Sequence, residues 1–263
     1  MSKYSAGKRR LRLGLVGGGT GLIGTIHANG ARLSNRWDVV AGALSSNPET
    51  AKTAGENWLF DANRSYTDYA EMAKAEAARS DGIDAVAIVT PNHLHAPVAL
   101  AFMQQGIDII CDKPITARLE EVADLTAEQK RSGVFFGVTY AYASHPMVRQ
   151  AREMVLTGDL GDVRQVHVEY FQDWAIDLTN EQANAPWRLD REKSGPSFTV
   201  ADIGTHAEHL ASFVTGRQIE AVRADFHVTG APKPLEDTAF MHMRFSGGVP
   251  GTLMVSQSMA GSH

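Results

Sequence analysis

The sequence contains a single cysteine, Cys111, so no disulfide can form within the chain. This composition fits a reducing compartment, and we expect a cytoplasmic protein. Basic residues are also few: Lys and Arg total 25 against 30 Asp and Glu, and no basic stripe follows the chain. Nucleic acid is therefore not expected as a partner. The longest apolar runs have only the length of a strand, so we expect no membrane partner either.

Strand-like and helix-like segments alternate through the first half of the chain. Buried-strand patterns occupy residues 11–17, 38–44, 84–90, 107–111 and 134–139. In 84–90 the apolar residues follow one another without alternation, which is typical of a parallel strand covered on both faces. The rhythm predicts an α/β Rossmann domain over residues 1–139, with a doubly wound parallel sheet.

The pattern changes after about residue 140. Apolar and polar residues alternate at 163–171, 219–228, 238–245 and 251–258, and helical patterns lie at 146–157 and 202–214. Alternation indicates a sheet with one exposed face. Residues 140–263 are therefore predicted to form an α+β domain with a large open, mostly antiparallel sheet.

A glycine-rich turn follows the first predicted strand. Residues 19–24 match the pattern G-x-G-x-x-G and are preceded by two more glycines, Gly17 and Gly18. Such glycines permit a tight turn, a close approach of the backbone to a pyrophosphate, and close packing of helix on strand. The following helix N-terminus attracts phosphate. We predict cofactor contacts from these residues: Gly17, Gly19, Gly21, Leu22 and Ile23. An ordinary glycine-rich loop is the alternative.

Small neutral residues follow the second predicted strand, where NAD-binding domains usually place an acid. Ser45 and Ser46 are predicted to contact the cofactor, and they leave room for a 2′-phosphate with Lys52 or Arg36 as a counter-charge. This favours NADP. The same residues also suit a turn and a helix cap, so NAD and NADP both remain candidates.

Two later strand ends carry polar motifs. Thr90-Pro91-Asn92 with His95 follows the third strand, and Asp112-Lys113-Pro114 follows the fourth. Open α/β sheets bind ligands outside the carboxyl ends of their strands. We therefore expect these residues to face the cofactor, although a loop lysine is more often a solvated surface residue.

Asp202 and His206 lie four residues apart on a predicted helix and share one face. A carboxylate near an imidazole can fix its tautomer, and histidine is suited to accept a hydroxyl proton near neutral pH. On the residues alone, Asp202 as a helix N-cap and His206 as a surface histidine stay open.

Together these motifs resemble the Gfo/Idh/MocA family, the group of glucose-fructose oxidoreductase and inositol dehydrogenase. The residues that carry the resemblance run through the whole chain: the glycine turn with His27, the motifs at 90–95 and 112–114, Gly158 with Gly161, Trp187-Arg188, and Asp202 with His206. Where this chain has Asp112, the family usually has Glu, one methylene longer, so a ribose contact from this acid is in doubt.

The resemblance implies an NAD(P)-dependent dehydrogenase that interconverts alcohol and ketone on a sugar, polyol or inositol-like substrate. It makes Lys113 a catalytic or substrate-orienting residue and His206 the base, with Asp202 orienting the pair. Candidate wall residues for the substrate are Tyr140, Tyr142, Trp174 and Arg188, for which core packing or surface exposure is the alternative.

The resemblance also carries expectations about assembly. Family members are typically longer than this chain, so the second domain is expected to be incomplete at its C-terminal end. The family commonly pairs through the open face of this sheet. We therefore expect residues 140–263 to bind substrate and to form the contacts of a homodimer or homotetramer.

Two other functions stay open. Asp202, His206 and His209 could chelate a divalent metal in a hydrolase or lyase, but three ligands from one stretch of helix do not readily converge, and we expect no metal site. A non-catalytic dinucleotide-binding sensor or interaction protein is the second. The presence of Lys113, Asp202 and His206 argues against it.

Overall fold

The computed structural model describes residues 9–19, 21–179, 181 and 186–261. Its chain divides into two compact units, Met1–Thr139 and Tyr140–His263. Within the described ranges, no helix combines the length and the apolar character that a membrane span requires.

The first unit is a parallel sheet flanked by helices. Its strands are β1 (Leu11–Val16), β2 (Trp37–Ala43), β3 (Ala85–Ile88), β4 (Asp108–Asp112) and β5 (Phe136–Thr139), and its helices are α1 (Leu22–Leu33), α2 (Pro48–Asn57), α3 (Tyr69–Ala78), α4 (His95–Met103) and α5 (Glu121–Ser132). All neighbouring strands pair in parallel, in the order β2-β1-β3-β4-β5. An isolated parallel bridge also joins Gly42 of β2 to Ser65, which lies outside the named strands. The predicted Rossmann sheet is confirmed.

Both faces of this sheet are buried, as the runs of apolar residues predict. On β3, Ala85 and Ala87 belong to the cluster that contains Ala31 of α1 and Ala54 of α2. Val86 and Ile88 alternate with them and belong to the cluster built by α3, α4 and α5.

The strand order creates a switch point between β1 and β3. The chain leaves β1 toward β2 on one side, and it leaves β3 toward β4 on the other. Ligands of open α/β sheets bind in the crevice outside the strand ends at such a point. The glycine turn follows β1 and Thr90 follows β3, so both motifs lie there.

The second unit is a mixed, mostly antiparallel sheet with helices packed on one face. Its strands are β6 (Val166–Phe171), β7 (Ile219–His227), β8 (Thr238–Phe245) and β9 (Val249–Ser256), and its helices are α6 (Pro146–Leu156), α7 (Arg191–Ser194) and α8 (Thr205–Thr215). The order is β6-β9-β8-β7. β7, β8 and β9 pair antiparallel, whereas β6 pairs with β9 in parallel. The predicted α+β architecture is confirmed.

The core of the second unit lies between α8 and the sheet, where Ala207 and Ala211 pack against Phe245 and Leu253. The other face of the sheet is open, and Phe240 of β8 is exposed there. Close to the amino end of β8, a fully buried ion pair joins Lys233 Nζ to Asp237 Oδ2 at 2.7 Å.

Candidate functional site

The glycine turn after β1 is packed against the loop after β3. Gly17 has a φ of 81°, which favours glycine. A Cβ on Gly17 would lie 3.1 Å from the backbone nitrogen of Thr90, and one on Gly24 would lie 2.5 Å from the carbonyl oxygen of Gly18. Gly17 therefore lets two strand-end loops meet, and Gly18 with Gly24 lets α1 pack onto its own turn.

Gly21 differs from these glycines because the protein leaves space beside it. A Cβ there would come no nearer than 3.8 Å to any other part of the protein, and its φ of −99° suits any residue. Gly21 is the N-cap of α1 and has no side chain to cap the helix. The N–H groups of the first turn, from Leu22 and Ile23 onward, lack acceptors within the helix. This end of α1 suits an anion, and the space at Gly21 allows a pyrophosphate to come close.

Two backbone amides of the turn are already bonded. Gly17 N–H donates to Ala43 O at 2.9 Å, and Gly19 N–H donates to Leu44 O at 3.3 Å. Gly17 and Gly19 therefore shape the turn through their backbone, and they offer no spare N–H to a phosphate.

Polar groups from β3 and β4 border the same crevice. The Thr90 hydroxyl oxygen is buried and has no hydrogen-bond partner among the described residues. Pro91 and the buried Asn92 continue this loop. Asp112 ends β4 and accepts a 2.8 Å hydrogen bond from the hydroxyl of Thr139. Lys113 follows directly and is half-buried. The residues fit a dinucleotide, since an unbonded hydroxyl and the start of α1 face one switch point.

His27 of α1 comes near the end of β4. Burial lowers the pKa of His27, and the neighbouring Asp112 carboxylate opposes that shift. The family motif residue His27 therefore sits in the same crevice region as Asp112.

His95 is placed differently from the expected cofactor contact. Its side chain is 1% exposed. Nδ1 lies 2.6 Å from the carbonyl oxygen of Pro114, and Nε2 lies 2.9 Å from that of Thr90. Burial lowers the pKa of His95, while both carbonyl contacts raise it. The ring ties the loop after β3 to the loop that holds Lys113.

The residues after β2 form a turn and cap the N-terminus of α2. The Ser45 hydroxyl accepts from the N–H of Asn47 at 3.1 Å, and the Asn47 side chain caps α2 by accepting from Thr50. Ser46 is exposed. Arg36 precedes β2 and so lies at its amino end, with the seven residues of β2 between it and the loop of Ser45 and Ser46. Because a strand rises about 3.3 Å per residue, the suggestion that Arg36 is a counter-charge there is wrong; the exposed Lys52 of α2 remains.

In the second unit, Asp202 lies in one turn of π-helix, Val200–Gly204, that leads into α8. Such turns often occur at functional sites. Asp202 is not the cap of α8. Its Oδ2 accepts from the side-chain amide of Gln257 at 2.8 Å, and its Oδ1 lies 3.2 Å from Nε of Arg188. The predicted wall residue Arg188 is therefore an ion-pair partner of Asp202, and its guanidinium also covers the ring of Trp187 at 4.6 Å.

His206 lines a cavity of about 320 Å³ together with two tyrosines, Tyr142 and Tyr170. The ring centroids of Tyr142 and His206 are 4.7 Å apart. The hydroxyl oxygens of Tyr142 and Tyr170 are 2.6 Å apart. Aromatic faces beside an imidazole, with phenolic hydroxyls, suit a sugar-sized polar ligand.

Tyr140 and Trp174 have contacts of their own. Tyr140 stacks on His209, with centroids 4.0 Å apart and planes 3° from parallel. The half-exposed indole of Trp174 packs edge-on against Phe198 and donates to Gln172. His209 is thus engaged by an aromatic ring, and burial lowers its pKa. Among the described residues, no three His, Cys, Asp or Glu side chains converge as metal ligands.

Sequence reasoning did not identify Tyr170 or the fully buried Gln257, which also accepts from Thr199 at 3.0 Å. Tyr170 falls on a strand whose alternation pointed only to packing. Gln257 follows β9, outside any motif, and no pattern in the sequence marks it.

Comparison with known proteins gives two family matches. Residues 11–140 match the family described as "Oxidoreductase family, NAD-binding Rossmann fold", and residues 148–263 match the "GFO/IDH/MocA C-terminal domain". The uncharacterized oxidoreductase YfiI of Bacillus subtilis is 34% identical over 95% of this chain.

Two solved structures are similar along almost the whole chain. An oxidoreductase from Sinorhizobium meliloti is 41% identical, with a TM-score of 0.87 over 97% of this chain and 68% of that one. An inositol dehydrogenase homolog from Azotobacter vinelandii, complexed with NADH and myo-inositol, is 32% identical, with a TM-score of 0.87 over 97% of this chain and 66% of that one. The chain spans 65% of the length of the Bacillus relative.

Proposed function

The chain belongs to the Gfo/Idh/MocA family of oxidoreductases, and from this premise we propose that it acts in NAD(P)-dependent interconversion of alcohol and ketone on a sugar, polyol or inositol-like substrate. The observation that carries the proposal is the meeting of the glycine turn and the Thr90 loop at the β1/β3 switch point, with Lys113 following the next strand. A similar protein was solved with NADH and myo-inositol.

The roles of the residues follow from their chemistry. The start of α1, at Leu22 and Ile23, binds the pyrophosphate through backbone N–H groups, and Gly21 leaves space for it. The Thr90 hydroxyl and Asn92 hold the cofactor at the end of β3. A nicotinamide cofactor held by these residues would supply the hydride acceptor. We assign proton transfer to the His206 imidazole and stabilisation of the developing negative oxygen to the Lys113 ammonium. We assign the orienting role to Asp202, which Gln257 and Arg188 hold.

The cavity beside His206 supports a sugar or polyol substrate. Its volume of about 320 Å³ lies at the small end of ligand pockets. The hydroxyls of Tyr142 and Tyr170 can bond to substrate oxygens, and their rings can pack on apolar C–H faces. Tyr140, Trp174 and Arg188 are assigned a supporting role near this cavity. They contact His209, Gln172 and Asp202, respectively.

The residues after β2 leave the choice of cofactor between NAD and NADP. No acid follows the strand to bind a ribose 2′-hydroxyl, and the exposed Ser46 with Lys52 leaves room for a 2′-phosphate. We infer acceptance of NADP. Ser45 contributes to the shape of this loop through its bond to Asn47.

Assembly and location complete the proposal. The exposed Phe240 on the open face of the second sheet supports pairing of two chains into a homodimer or a homotetramer. The single cysteine fits a reducing compartment, and we infer a cytoplasmic location.

The first experiment identifies any ligand that copurifies, by mass spectrometry, and then titrates NADH and NADPH by fluorescence. A panel of myo-inositol, D-glucose, D-xylose and levoglucosan is assayed with NAD and NADP. We expect turnover with at least one member. Tight cofactor binding without any turnover would instead favour a dinucleotide-binding sensor.

The Lys113→Ala variant tests the mechanism. If the ammonium stabilises negative charge in the transition state, kcat should fall by about 10²-fold or more while NADH still binds. Lys130→Ala removes an exposed lysine of α5 and is the matched control. Near-normal turnover by Lys113→Ala would contradict the assignment.

A further inference from the structure

A chain of hydrogen bonds crosses the second unit from Asp202 to the His206 cavity. Gln257 Nε2 donates to Asp202 Oδ2 at 2.8 Å and to Gln172 Oε1 at 3.1 Å. Gln172 Nε2 donates to the hydroxyl of Tyr170 at 3.2 Å, and this hydroxyl lies 2.6 Å from that of Tyr142. This chain of hydrogen bonds therefore begins at the Asp202 carboxylate and ends at Tyr142 in the wall of the His206 cavity.

The chemistry of its partners fixes the orientation of the Gln257 amide. A carboxylate only accepts hydrogen bonds, so the NH₂ group of Gln257 must face Asp202. The fully buried Thr199 hydroxyl donates to the other end of the amide, Oε1, at 3.0 Å. With Gln257 fully buried, a reversed amide would set its oxygen against the acceptor oxygens of Asp202 and Gln172 and lose both bonds.

The orientation of Gln172 is fixed independently. The indole N–H of Trp174 can only donate, and it lies 2.8 Å from Gln172 Oε1. Gln257 donates to the same oxygen. The NH₂ group of Gln172 is thus directed to Tyr170, which accepts.

A phenol that accepts from Gln172 still has one proton of its own to donate. The neighbour for that proton is the hydroxyl oxygen of Tyr142 at 2.6 Å. Burial raises the pKa of Tyr170, so its hydroxyl keeps this proton at neutral pH. Tyr142 then accepts from Tyr170, and its own proton is directed away from Tyr170.

We propose that Tyr142 is a specificity-determining hydrogen-bond donor in the His206 cavity, and that the chain from Asp202 through Gln257, Gln172 and Tyr170 fixes this polarity. The ligand that it selects presents an acceptor oxygen, such as a hydroxyl, ring or carbonyl oxygen of a sugar or cyclitol. This inference rests on the proposed function.

The test uses the panel substrate with the highest kcat/KM, taken from myo-inositol, D-glucose, D-xylose and levoglucosan, together with its monodeoxy and monofluoro derivatives. Fluorine accepts a hydrogen bond weakly and cannot donate one, whereas a deoxy position does neither. At one ring position, the wild-type protein should bind the fluoro derivative more tightly than the deoxy derivative. Equal affinities at every position would overturn the proposal.

Variants then test which hydroxyl causes the difference in affinity between the fluoro and deoxy derivatives. Tyr142→Phe should raise KM for the parent substrate about three- to tenfold, with a smaller change in kcat and unchanged NADH binding, and should abolish the difference between fluoro and deoxy derivatives. Tyr69→Phe removes a tyrosine hydroxyl from α3 in the first unit and is the control. Persistence of the difference in Tyr142→Phe would refute the role of Tyr142 as donor.

Tyr170→Phe tests the chain of hydrogen bonds. Without a proton from Tyr170, Tyr142 can donate or accept, so the difference in affinity between the fluoro and deoxy derivatives should become smaller while the fold is kept. An unchanged difference would refute the role of this chain of hydrogen bonds. If no panel compound is turned over by wild-type protein, the proposed function fails together with this inference, whereas turnover without discrimination refutes the donor inference alone.

Discussion

A single added methyl group at the glycine turn separates folding from cofactor binding. In Gly21→Ala, the new Cβ would lie 3.8 Å from its nearest neighbour, Gly18 Cα, which is ordinary contact. The backbone of Gly21, with φ −99° and ψ 150°, suits alanine. The unfolded chain has fewer conformations with alanine than with glycine, which should raise the free energy of unfolding by about 0.4–1 kcal/mol. Alanine is a poorer N-cap than glycine, which should lower the free energy of unfolding by about the same amount. The melting temperature should therefore barely change.

Cofactor binding should respond strongly to the same variant. If a pyrophosphate comes close to the backbone at Gly21, the methyl group occupies its space, and NADH affinity should fall about tenfold or more. Fluorescence titration with NADH measures this, and differential scanning fluorimetry measures the stability. Gly24→Ala is the contrasting variant, because its Cβ would lie 2.5 Å from Gly18 O and should lower the melting temperature. Wild-type NADH affinity in a stable Gly21→Ala protein would refute close approach at this position.

Four more outcomes are expected. His95→Ala removes the buried ring that lies between the carbonyl oxygens of Thr90 and Pro114, so the free energy of unfolding should drop by about 2–4 kcal/mol and NADH binding should weaken with it; an unweakened affinity would contradict a role of this ring in holding the two loops. Lys233→Met leaves the Asp237 carboxylate buried and unpaired, which should cost about 3–5 kcal/mol in urea unfolding. Burial alone would raise the pKa of Asp237, but Lys233 and backbone N–H groups hold it well below its usual range. The wild-type protein should therefore keep this contribution above the unfolded pKa of about 3.9 and lose it as the pH falls further, whereas a flat stability curve in acid would argue otherwise. Phe240→Glu should convert a dimer into a monomer in light scattering, and a dimer that persists would place the contact elsewhere.

The fold could be predicted well where the apolar periodicity agreed with the residues that begin or end helices and strands. A helix was expected directly after the glycine turn, and α1 begins there at Leu22. Helix α3 was not predicted. Its sequence is mostly alanine and charged residues, so apolar periodicity is weak, although Asp68 caps it by accepting from Glu71 N–H.

The candidate site was predictable only in the part that depends on strand ends. Where a parallel strand stops, its next residues must lie at one edge of the sheet, so Thr90, Asp112 and Lys113 could be placed without a structure. The spacing of Asp202 and His206 was a poorer guide, because the π-helical turn changes the angle between side chains four residues apart.

The partners of Asp202 show why the rest escaped sequence reasoning. Gln257 and Arg188 lie 55 and 14 positions from Asp202 in the chain (257 − 202 and 202 − 188), on a strand end and a short turn. Their convergence depends on sheet register and on one buried amide that must satisfy Thr199, Gln172 and the carboxylate together. Each of these bonds is worth only about 1 kcal/mol, yet a buried group left unbonded costs about 1–3 kcal/mol. A requirement of that kind constrains positions jointly across the fold, and a one-dimensional pattern carries no trace of it.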